Sequence, residues 1–294
     1  MLAIIRDRKR RFVYAGLIPI LLLFSLIYVY PIFSAFFVSL HDWELLSKTH
    51  NFLAFKNYLK VFQDAVFKRS FYNTLYFTFV YLFFTLVIGL SLALFLNSLV
   101  KPFQTILEVI LFLPVVTITV AGALVWKWMY NPSFGVINYL LGILGMGPFK
   151  FLASPKIVIP SIIIMALWKW IGINVIIFLA GLQSIPEEFY EAARIDGASA
   201  QFLFWRITLP LLKPTLEYIF VTNILAAMQV FTEIFMLTYG GPGISSRVVA
   251  FHIYETGFRF LKIGEASAVA FILFAFILIV TAFQFRIFKR EELY

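Results

Sequence analysis

Six long apolar runs constrain the fold of this chain more than any other feature, and none of them carries more than one charged residue. They span residues 12–40, 70–100, 109–130, 157–186, 218–239 and 266–288. A helix needs about 20 mostly apolar residues to cross the hydrocarbon of a bilayer. The runs also lack the alternation of membrane barrel strands. The sequence therefore predicts an all-α polytopic membrane protein, with six transmembrane helices in a single membrane domain covering residues 1–294.

Composition argues against the soluble classes of protein. Hydrophobic residues make up 62% of the chain and charged residues 13%, against about 45–50% and about 25% in soluble domains. The chain has no cysteine and only three histidines, which excludes a disulfide framework and disfavours a metal site. We attribute the net charge of +9 to membrane topology and anionic lipid rather than to nucleic acid. No metal-ligating or catalytic residue is predicted.

Clusters of basic residues flank the first and last apolar runs. They are Arg6, Arg8, Lys9, Arg10 and Arg11 before the first run, and Arg286, Lys289 and Arg290 at the end of the last. Because cytoplasmic flanks are enriched in lysine and arginine, we expect both termini in the cytoplasm, with residues 1–11 as a tail. The first run is longer than the 7–15 apolar residues of a signal peptide, so we expect it to persist as the first helix.

The loop at 187–217, between the fourth and fifth runs, carries the clearest local signals. Ser184 and Glu187 have the spacing of a capping box. Gly197 suits the left-handed residue that stops a helix. A second short helix is expected over about 198–209. The sequence thus predicts two short cytoplasmic helices separated by a sharp turn.

One side of the first short helix is suited to contact with another protein. Ala192 and Ala193 carry small side chains that allow a close approach, and Phe189 and Ile195 supply apolar anchors. Such a projection fits insertion into a groove of a partner protein.

The residues of this loop resemble the EAA motif of ABC-importer permeases. The pattern is Glu191-Ala192-Ala193, then Gly197, then Ile207 and Leu209-Pro210. The resemblance implies the type I ABC importer fold, in which this loop is the coupling helix that docks on a separate ATPase subunit. The ATPase-coupling residues that it implies are Glu188, Phe189, Glu191, Ala192, Ala193, Arg194, Asp196, Gly197, Ile207, Leu209 and Pro210.

Other segments resemble carbohydrate permeases of the maltose and glycerol-phosphate type. They include His41-Asp42-Trp43, Asn57-Tyr58, Leu113-Pro114 and Leu237-Thr238-Tyr239-Gly240-Gly241-Pro242. The last is similar to the first of two paired permeases. The resemblance implies a heterodimer with a sister permease, two ATP-binding subunits and an extracytoplasmic sugar-binding protein, in the cytoplasmic (inner) membrane of a bacterium or archaeon. The chain has no phosphate-binding loop of the G-x-x-x-x-G-K-[ST] type. ATP and Mg are therefore expected on the partner, with no cofactor in this chain.

Lys169 and Glu233 are charged residues that lie well inside the fourth and fifth apolar runs. They could snorkel to the outer interface, or they could line a translocation cavity. A substrate-binding Lys169 would favour an acidic sugar or a phosphorylated polyol.

Further pathway candidates flank the loop. By resemblance to maltose-type permeases, Trp170, Ile173, Asn223, Ala227 and Val230 fall at sugar-contacting positions. Trp168, Asn174 and Gln229 add an aromatic ring and polar groups nearby. Hydrogen bonding between helices is an alternative role for each of the polar residues.

Two other functions stay open from the residues alone. A stand-alone secondary transporter is expected to show internal repeats and broken mid-membrane helices. A membrane-embedded enzyme would need clustered acidic residues and histidines. Only the importer requires a separate ATPase, so we expect a transport subunit and not an enzyme.

Overall fold

The computed structural model describes the backbone of residues 2–288 and the side chains of residues 12–286, and this part of the chain is helical with turns and two isolated β-bridges. The helices are α1 Leu2–Phe24, α2 Tyr30–Ser39, α3 Lys56–Gln63, α4 Ala65–Asn97, α5 Lys101–Val116, α6 Thr119–Met129, α7 Val136–Ile143, α8 Val158–Gln183, α9 Glu187–Ile195, α10 Ala200–Leu203, α11 Leu209–Leu211, α12 Lys213–Met228, α13 Thr232–Leu237, α14 Val249–Tyr254 and α15 Ile263–Phe288. Three π-helical turns cover Ser25–Val29, Phe204–Thr208 and Glu255–Arg259. The predicted all-α membrane class is confirmed.

Four of the six predicted spans are helices of spanning length and hydropathy within the described residues. They are Phe12–Ser39, Ala65–Asn97, Val158–Gln183 and Ile263–Arg286. Helices α1, α4 and α15 begin before the corresponding apolar runs. In particular α1 begins at Leu2, so the predicted tail is not separate from the first helix, because lysine and arginine are good helix formers. Lys289 and Arg290 lie outside the described residues.

The third predicted span, 109–130, is not one straight helix. It consists of α5 and α6, which meet at an angle of 98°. Thr117 and Ile118 between them have extended backbone conformations. Pro114, in the last turn of α5, has no N–H to continue the helical ladder. Hydropathy alone did not reveal this bend.

The fifth predicted span, 218–239, is also interrupted. Helix α12 begins at Lys213 and ends at Met228, and α13 covers only Thr232–Leu237. The residues between them leave the helical conformation, with φ of −104° at Gln229 and −138° at Phe231. Neither helix has spanning length by itself. The described residues therefore contain four helices of spanning length, or five spans if the bent α5–α6 pair is counted as one, and the predicted count of six is not confirmed.

The chain divides into two compact units. The first contains residues up to 64 together with 253–274. In it the Asn57 side-chain amide donates to the carbonyls of Ser39 and His41, at 2.8 and 2.9 Å. The Gly264 N–H donates to the Trp43 carbonyl at 2.9 Å. These bonds tie α3 and the start of α15 to the segment that follows α2.

The second unit contains residues 65–252 and those from 275 onward. Helix α8 packs in it against α4, α5 and α12. One core surrounds Phe77 and Ile162, and another surrounds Phe178 and Ile219. A side chain at Gly172 would overlap the Leu111 carbonyl, so glycine is needed where α8 approaches α5. This packing positions both the cavity and the loop described next.

Candidate functional site

A cavity of about 450 Å³ lies in the second unit, between α4, α8 and α12, at the break before α13. Its wall consists of Phe77, Tyr81, Thr119, Ala166, Trp170, Ile173, Asn174, Ile177, Tyr218, Thr222, Asn223, Ala226, Ala227, Gln229, Val230, Phe231, Thr232 and Glu233. A break in a membrane helix is tolerated where the backbone is packed in protein or faces a cavity. The interruption of the fifth span is thus part of the site.

Eight of the ten pathway residues proposed from the sequence line this cavity. They are Trp170, Ile173, Asn174, Asn223, Ala227, Gln229, Val230 and Glu233. Trp168 and Lys169 do not. The Trp168 ring packs on Trp126, with centroids 5.6 Å apart, and lies over Gly122. Successive residues of α8 point in different directions, so these neighbours of Trp170 face away from the cavity.

The Lys169 ammonium group bonds to backbone carbonyls at the bend between α5 and α6. Its Nζ donates to the carbonyls of Pro114 and Val115, at 2.7 and 2.9 Å, and also to that of Thr117. The side chain is only 1% exposed, so it does not snorkel to an interface. A lysine ammonium has three donors, and all three are used. Lys169 therefore stabilises a helix break and has no proton left for a substrate.

Trp170 and Glu233 form a polar contact on the cavity wall. Trp170 Nε1 donates to Glu233 Oε1 at 3.4 Å, which joins α8 to α13. Lys169 Nζ lies 4.8 Å from the centroid of the Trp170 ring, in the range of a cation–π interaction. The indole is thus held between a buried ammonium group and a carboxylate.

Asn174 and Asn223 bond to each other across α8 and α12. Asn223 Nδ2 donates to Asn174 Oδ1 at 2.7 Å and to the Ile219 carbonyl at 2.8 Å. The Tyr81 hydroxyl donates to Asn223 Oδ1 at 3.4 Å. Both asparagines therefore make the interhelical hydrogen bonds expected of polar residues in a membrane bundle, while their side chains also line the cavity.

Helix α9 ends as the sequence predicted. Gly197 has a φ of 81°, the left-handed conformation that glycine adopts without strain. The Gly197 N–H donates to the Arg194 carbonyl at 3.0 Å, and the Ala198 N–H donates to the Ala193 carbonyl at 2.9 Å. These two bonds form a Schellman motif.

The predicted capping box at the start of α9 is wrong. Pro186 is the N-cap residue, and the Ser184 hydroxyl instead donates to the Gly181 carbonyl at 2.7 Å. Ser184 follows α8 directly, so the last carbonyls of that helix compete for its hydroxyl. Glu187 accepts a hydrogen bond from Arg194 at 3.3 Å.

The second short helix of the loop runs from α10 through a π-helical turn into α11. Ser199 caps it, since its Oγ accepts from the Phe202 N–H at 3.3 Å. The Tyr190 and Thr208 hydroxyls lie 3.1 Å apart, which links the first short helix to the second. The loop is therefore a defined helical hairpin.

Much of the hairpin surface is exposed and apolar. Phe189 and Ile195 are exposed on α9, and Phe202 and Trp205 are exposed on the second helix. Among the motif residues, Glu188, Glu191, Ala192, Arg194, Asp196, Gly197 and Pro210 are exposed, while Ala193, Ile207 and Leu209 are half-buried. Large apolar side chains projecting together from the surface are typical of a protein contact.

Comparison with known protein families identifies the family of this chain. The family model described as "Binding-protein-dependent transport system inner membrane component" matches residues 85–292. The chain belongs to this family. Its members are transport subunits and not enzymes, as the sequence predicted. The match includes α8, the helical hairpin and α12, and therefore most of the cavity wall.

Relatives of this transport component cover nearly all of it. It is 34% identical over 292 residues to the trehalose/maltose transport system permease protein MalF of Thermococcus litoralis, with 98% of this chain and 97% of MalF covered. It is 35% identical over 280 residues to the sulfoquinovosyl glycerol transport system permease protein SmoG of Agrobacterium fabrum, with 94% and 90% covered. These relatives confirm the predicted resemblance to carbohydrate permeases.

A solved structure has the same fold. It is the bacterial alginate ABC transporter in complex with an alginate pentasaccharide-bound periplasmic protein. One of its chains superimposes with a TM-score of 0.85 and 26% identity, covering 97% of this transport component and 96% of that chain.

Sequence reasoning missed several residues of the cavity wall. Phe77 and Tyr81 of α4 line it, as do Tyr218 and Phe231. Phe77 and Tyr81 are four residues apart, a spacing that places them on one helix face. That spacing was a usable signal, but a run as uniformly apolar as 70–100 offers many such pairs.

Proposed function

We propose that this chain is a membrane-spanning permease subunit of an ATP-driven, binding-protein-dependent sugar importer, and that the cavity is its part of the translocation pathway. The observation that carries the proposal is the character of the cavity wall. Aromatic rings such as those of Trp170 and Tyr218 line the cavity together with the amides of Asn174, Asn223 and Gln229. Sugars present C–H faces that pack on rings, and hydroxyls that need hydrogen-bonding partners.

The names of the relatives support this class of substrate. MalF is a trehalose/maltose permease, SmoG a sulfoquinovosyl glycerol permease, and the solved transporter imports alginate. All three substrates carry saccharide groups. The eight pathway residues on the wall are proposed to contact the sugar, with Lys169 and Trp168 supporting the wall from behind.

The helical hairpin is proposed to couple this subunit to ATP hydrolysis. Phe189 and Ile195 would enter a groove on the ATPase, with Ala192 allowing a close approach. Because α9 follows α8 after only Ser184–Pro186, a movement of the docked hairpin would act directly on the helix that carries Trp170 and Asn174.

The assembly that this function requires contains several further chains. We propose a sister permease, two ATP-binding subunits and an extracytoplasmic sugar-binding protein. The superimposed alginate transporter, solved with its periplasmic protein, supports the last of these partners. ATP and Mg would bind to the ATPase subunits, and this chain would hold no cofactor and no nucleic acid.

The proposed location is the cytoplasmic membrane of a bacterium or archaeon, with membrane lipid around the helices and both termini in the cytoplasm. The basic residues at the two ends of the chain support this orientation. It places the helical hairpin on the cytoplasmic side, where an ATPase can reach it.

The first experiment is to tag the chain, extract it gently from native membranes and identify the proteins that co-purify. We expect an ATPase subunit and a second permease. The complex is then placed in liposomes with the binding protein, and uptake of radiolabelled sugars is measured with ATP inside. The matched control carries a hydrolysis-deficient ATPase subunit.

Sugar uptake that stops with the inactive ATPase would support the proposal. Uptake by this chain alone, without ATPase, would instead indicate a secondary transporter. ATP-dependent uptake of amino acids or peptides in place of sugars would leave the importer class standing but would overturn the sugar assignment.

A further inference from the structure

The charge that the cavity presents is set by Glu233 and not by Lys169. Both lie inside apolar runs, and each is buried in the second unit, at 7% and 1% exposure. Only Glu233 reaches the cavity wall. Lys169 uses its three N–H donors in hydrogen bonds to backbone carbonyls of the α5–α6 bend. Lys169 also interacts electrostatically with Glu233, but its ammonium group is held at the bend and is not part of the cavity wall.

Glu233 keeps acceptor capacity that the protein does not use. Trp170 Nε1 donates to Oε1 at the long distance of 3.4 Å, and this is the one hydrogen bond that the carboxylate receives from the described residues. A carboxylate has about four acceptor positions on its two oxygens. Its position on the wall therefore offers acceptors to hydroxyl or ammonium groups of a bound molecule.

No compensating cation shares the wall. Among the residues whose side chains the structure describes, the lining includes no lysine, arginine or histidine, and Glu233 is its one acidic residue. The other polar groups on the wall are neutral amides and hydroxyls, such as those of Gln229 and Thr222. The wall thus presents a single carboxylate among uncharged groups.

We propose that Glu233 is a specificity-determining residue that makes this pathway select uncharged or amino saccharides over saccharides that carry a carboxylate or sulfonate. The inference rests on the proposed function, since it assigns the cavity to a sugar. The proposed selectivity would distinguish this chain from the alginate transporter of the same fold, because the two would accept sugars of different charge. Hydroxyl groups would donate to the free carboxylate oxygens, and an anionic sugar would be repelled.

The expected discrimination is large enough to measure. Two like charges about 10 Å apart at an effective dielectric constant of about 20 repel by slightly more than the equivalent of a tenfold change in affinity. A neutral trisaccharide should therefore bind at least about tenfold tighter than an anionic one of the same linkage and length, since each carboxylate of the anionic sugar is repelled. An amino trisaccharide should bind at least as tightly as the neutral one.

The test uses the whole permease and ATPase complex in nanodiscs, with the binding protein left out so that its own selectivity does not enter. The probes are three β-1,4-linked trisaccharides: cellotriose, which is neutral; mannuronic acid trisaccharide, which is anionic; and glucosamine trisaccharide, which is cationic. Saturation-transfer NMR titrations give the affinity of each, even where binding is weak.

Three variants isolate the charge. Glu233→Gln removes it while keeping the shape and an acceptor for Trp170, and Glu233→Asp keeps the charge. Glu217→Gln makes the same chemical change on α12, outside this cavity. We expect Glu233→Gln to bring the neutral-to-anionic affinity ratio from at least about tenfold to within about threefold, and the other two variants to keep it near the wild-type ratio.

The outcomes separate the two proposals. Two results would overturn the role of Glu233 and leave the sugar pathway standing. One is a neutral-to-anionic affinity ratio that Glu233→Gln leaves unchanged. The other is equal wild-type affinity for the anionic and neutral probes. Failure of all three saccharides to bind to the wild-type complex would contradict the sugar pathway itself. If the Glu233→Gln complex does not assemble, the wild type and Glu233→Asp still test the inference. A neutral-to-anionic affinity ratio of one or below in the wild type would overturn it. A ratio near the wild-type value in Glu233→Asp would support it.

Discussion

Two breaks in apolar helices of the second unit are stabilised in opposite ways. At the α5–α6 bend, the carbonyls released from the helix are satisfied by Lys169, a side chain from another helix. At the α12–α13 break, the Gln229 and Val230 N–H groups make short-range bonds to the carbonyls of Ala226 and Ala227, and the neighbouring side chains line the cavity. At the α5–α6 bend, a buried ammonium group bonds to the carbonyls. At the α12–α13 break, polar side chains stay available to a ligand.

This difference shows why a charged residue in an apolar run does not by itself indicate a transport pathway. Lys169 and Glu233 look equivalent in the sequence, since each is the one charge in its run. In the structure one neutralises backbone dipoles and the other faces a cavity. The predictions below test that division, beginning with the largest expected effect.

Lys169→Met should cause the largest loss of stability. Removing the ammonium leaves the carbonyls of Val115 and Thr117 without this donor, while that of Pro114 still accepts from Thr117. Unsatisfied buried polar groups cost about 1–3 kcal/mol each, so for two carbonyls we expect a loss of about 2–6 kcal/mol in the free energy of unfolding. Thermal unfolding of the purified complex measures it.

Lys127→Met is the matched control for that substitution. Lys127 is also the one charge of an apolar run, but it is exposed and donates only a single hydrogen bond of 3.3 Å, to the Met236 carbonyl. We expect a change below about 1 kcal/mol. Equal melting temperatures for Lys169→Met and the wild type would show that Lys169 does not stabilise the bend.

The paired amides should show coupling between α8 and α12. Asn223→Leu removes the donor to Asn174 Oδ1, which should cost about 1–3 kcal/mol. Asn174→Leu should add little once Asn223 is gone, because the partner group is already lost. A double-mutant cycle on unfolding should give a coupling energy above about 0.5 kcal/mol. Strict additivity would instead mean that the two amides act independently, as groups of the cavity wall.

The end of α9 gives a third, exposed helix terminus against which to compare the two breaks. Gly197→Val should cost about 1–2 kcal/mol from left-handed strain, with no clash, since nothing lies within 4 Å of the added side chain. We expect folding to persist and ATP-dependent uptake to fall sharply. Gly197→Asn is the control, because asparagine tolerates this conformation. Normal uptake by a stably inserted valine variant would exclude the proposed coupling role.

Gln229→Ala should have the smallest effect on stability. Its side chain is exposed at the α12–α13 break, so the unfolding free energy should change by less than about 0.5 kcal/mol. Saccharide affinity should nevertheless fall, because an amide of the cavity wall is lost. A large drop in melting temperature with unaltered saccharide affinity would indicate that Gln229 stabilises the α12–α13 break and does not contact the sugar.

Several features could be predicted from short stretches of sequence. The apolar runs predicted a helical membrane protein, and Gly197 with its neighbours predicted the stop of α9. The family followed from the spacing of Glu191, Gly197 and Pro210. Each of these depends on local patterns, such as the length of an apolar run or the need for one residue with positive φ.

Other features could not be predicted because they depend on groups that are distant in the chain. The direction of Lys169 is decided by carbonyls more than fifty residues earlier. The Ser184 hydroxyl could accept from an N–H at the start of α9 or donate to a carbonyl at the end of α8, and in the structure it donates to the Gly181 carbonyl. The bend after Pro114 and the break at Gln229 are invisible to hydropathy, which measures transfer into lipid and not continuity of backbone hydrogen bonds.

The sequence by itself determined that this chain is an all-α membrane protein of the transport-component family with an exposed helical hairpin, because hydrophobic length, glycine conformation and motif spacing are properties of contiguous residues. Only the tertiary structure decided which polar residues of the apolar runs face a cavity and which bond to backbone carbonyls at a bend between neighbouring helices. That choice is made where helices meet, since a buried donor or acceptor bonds to whatever the packing places beside it.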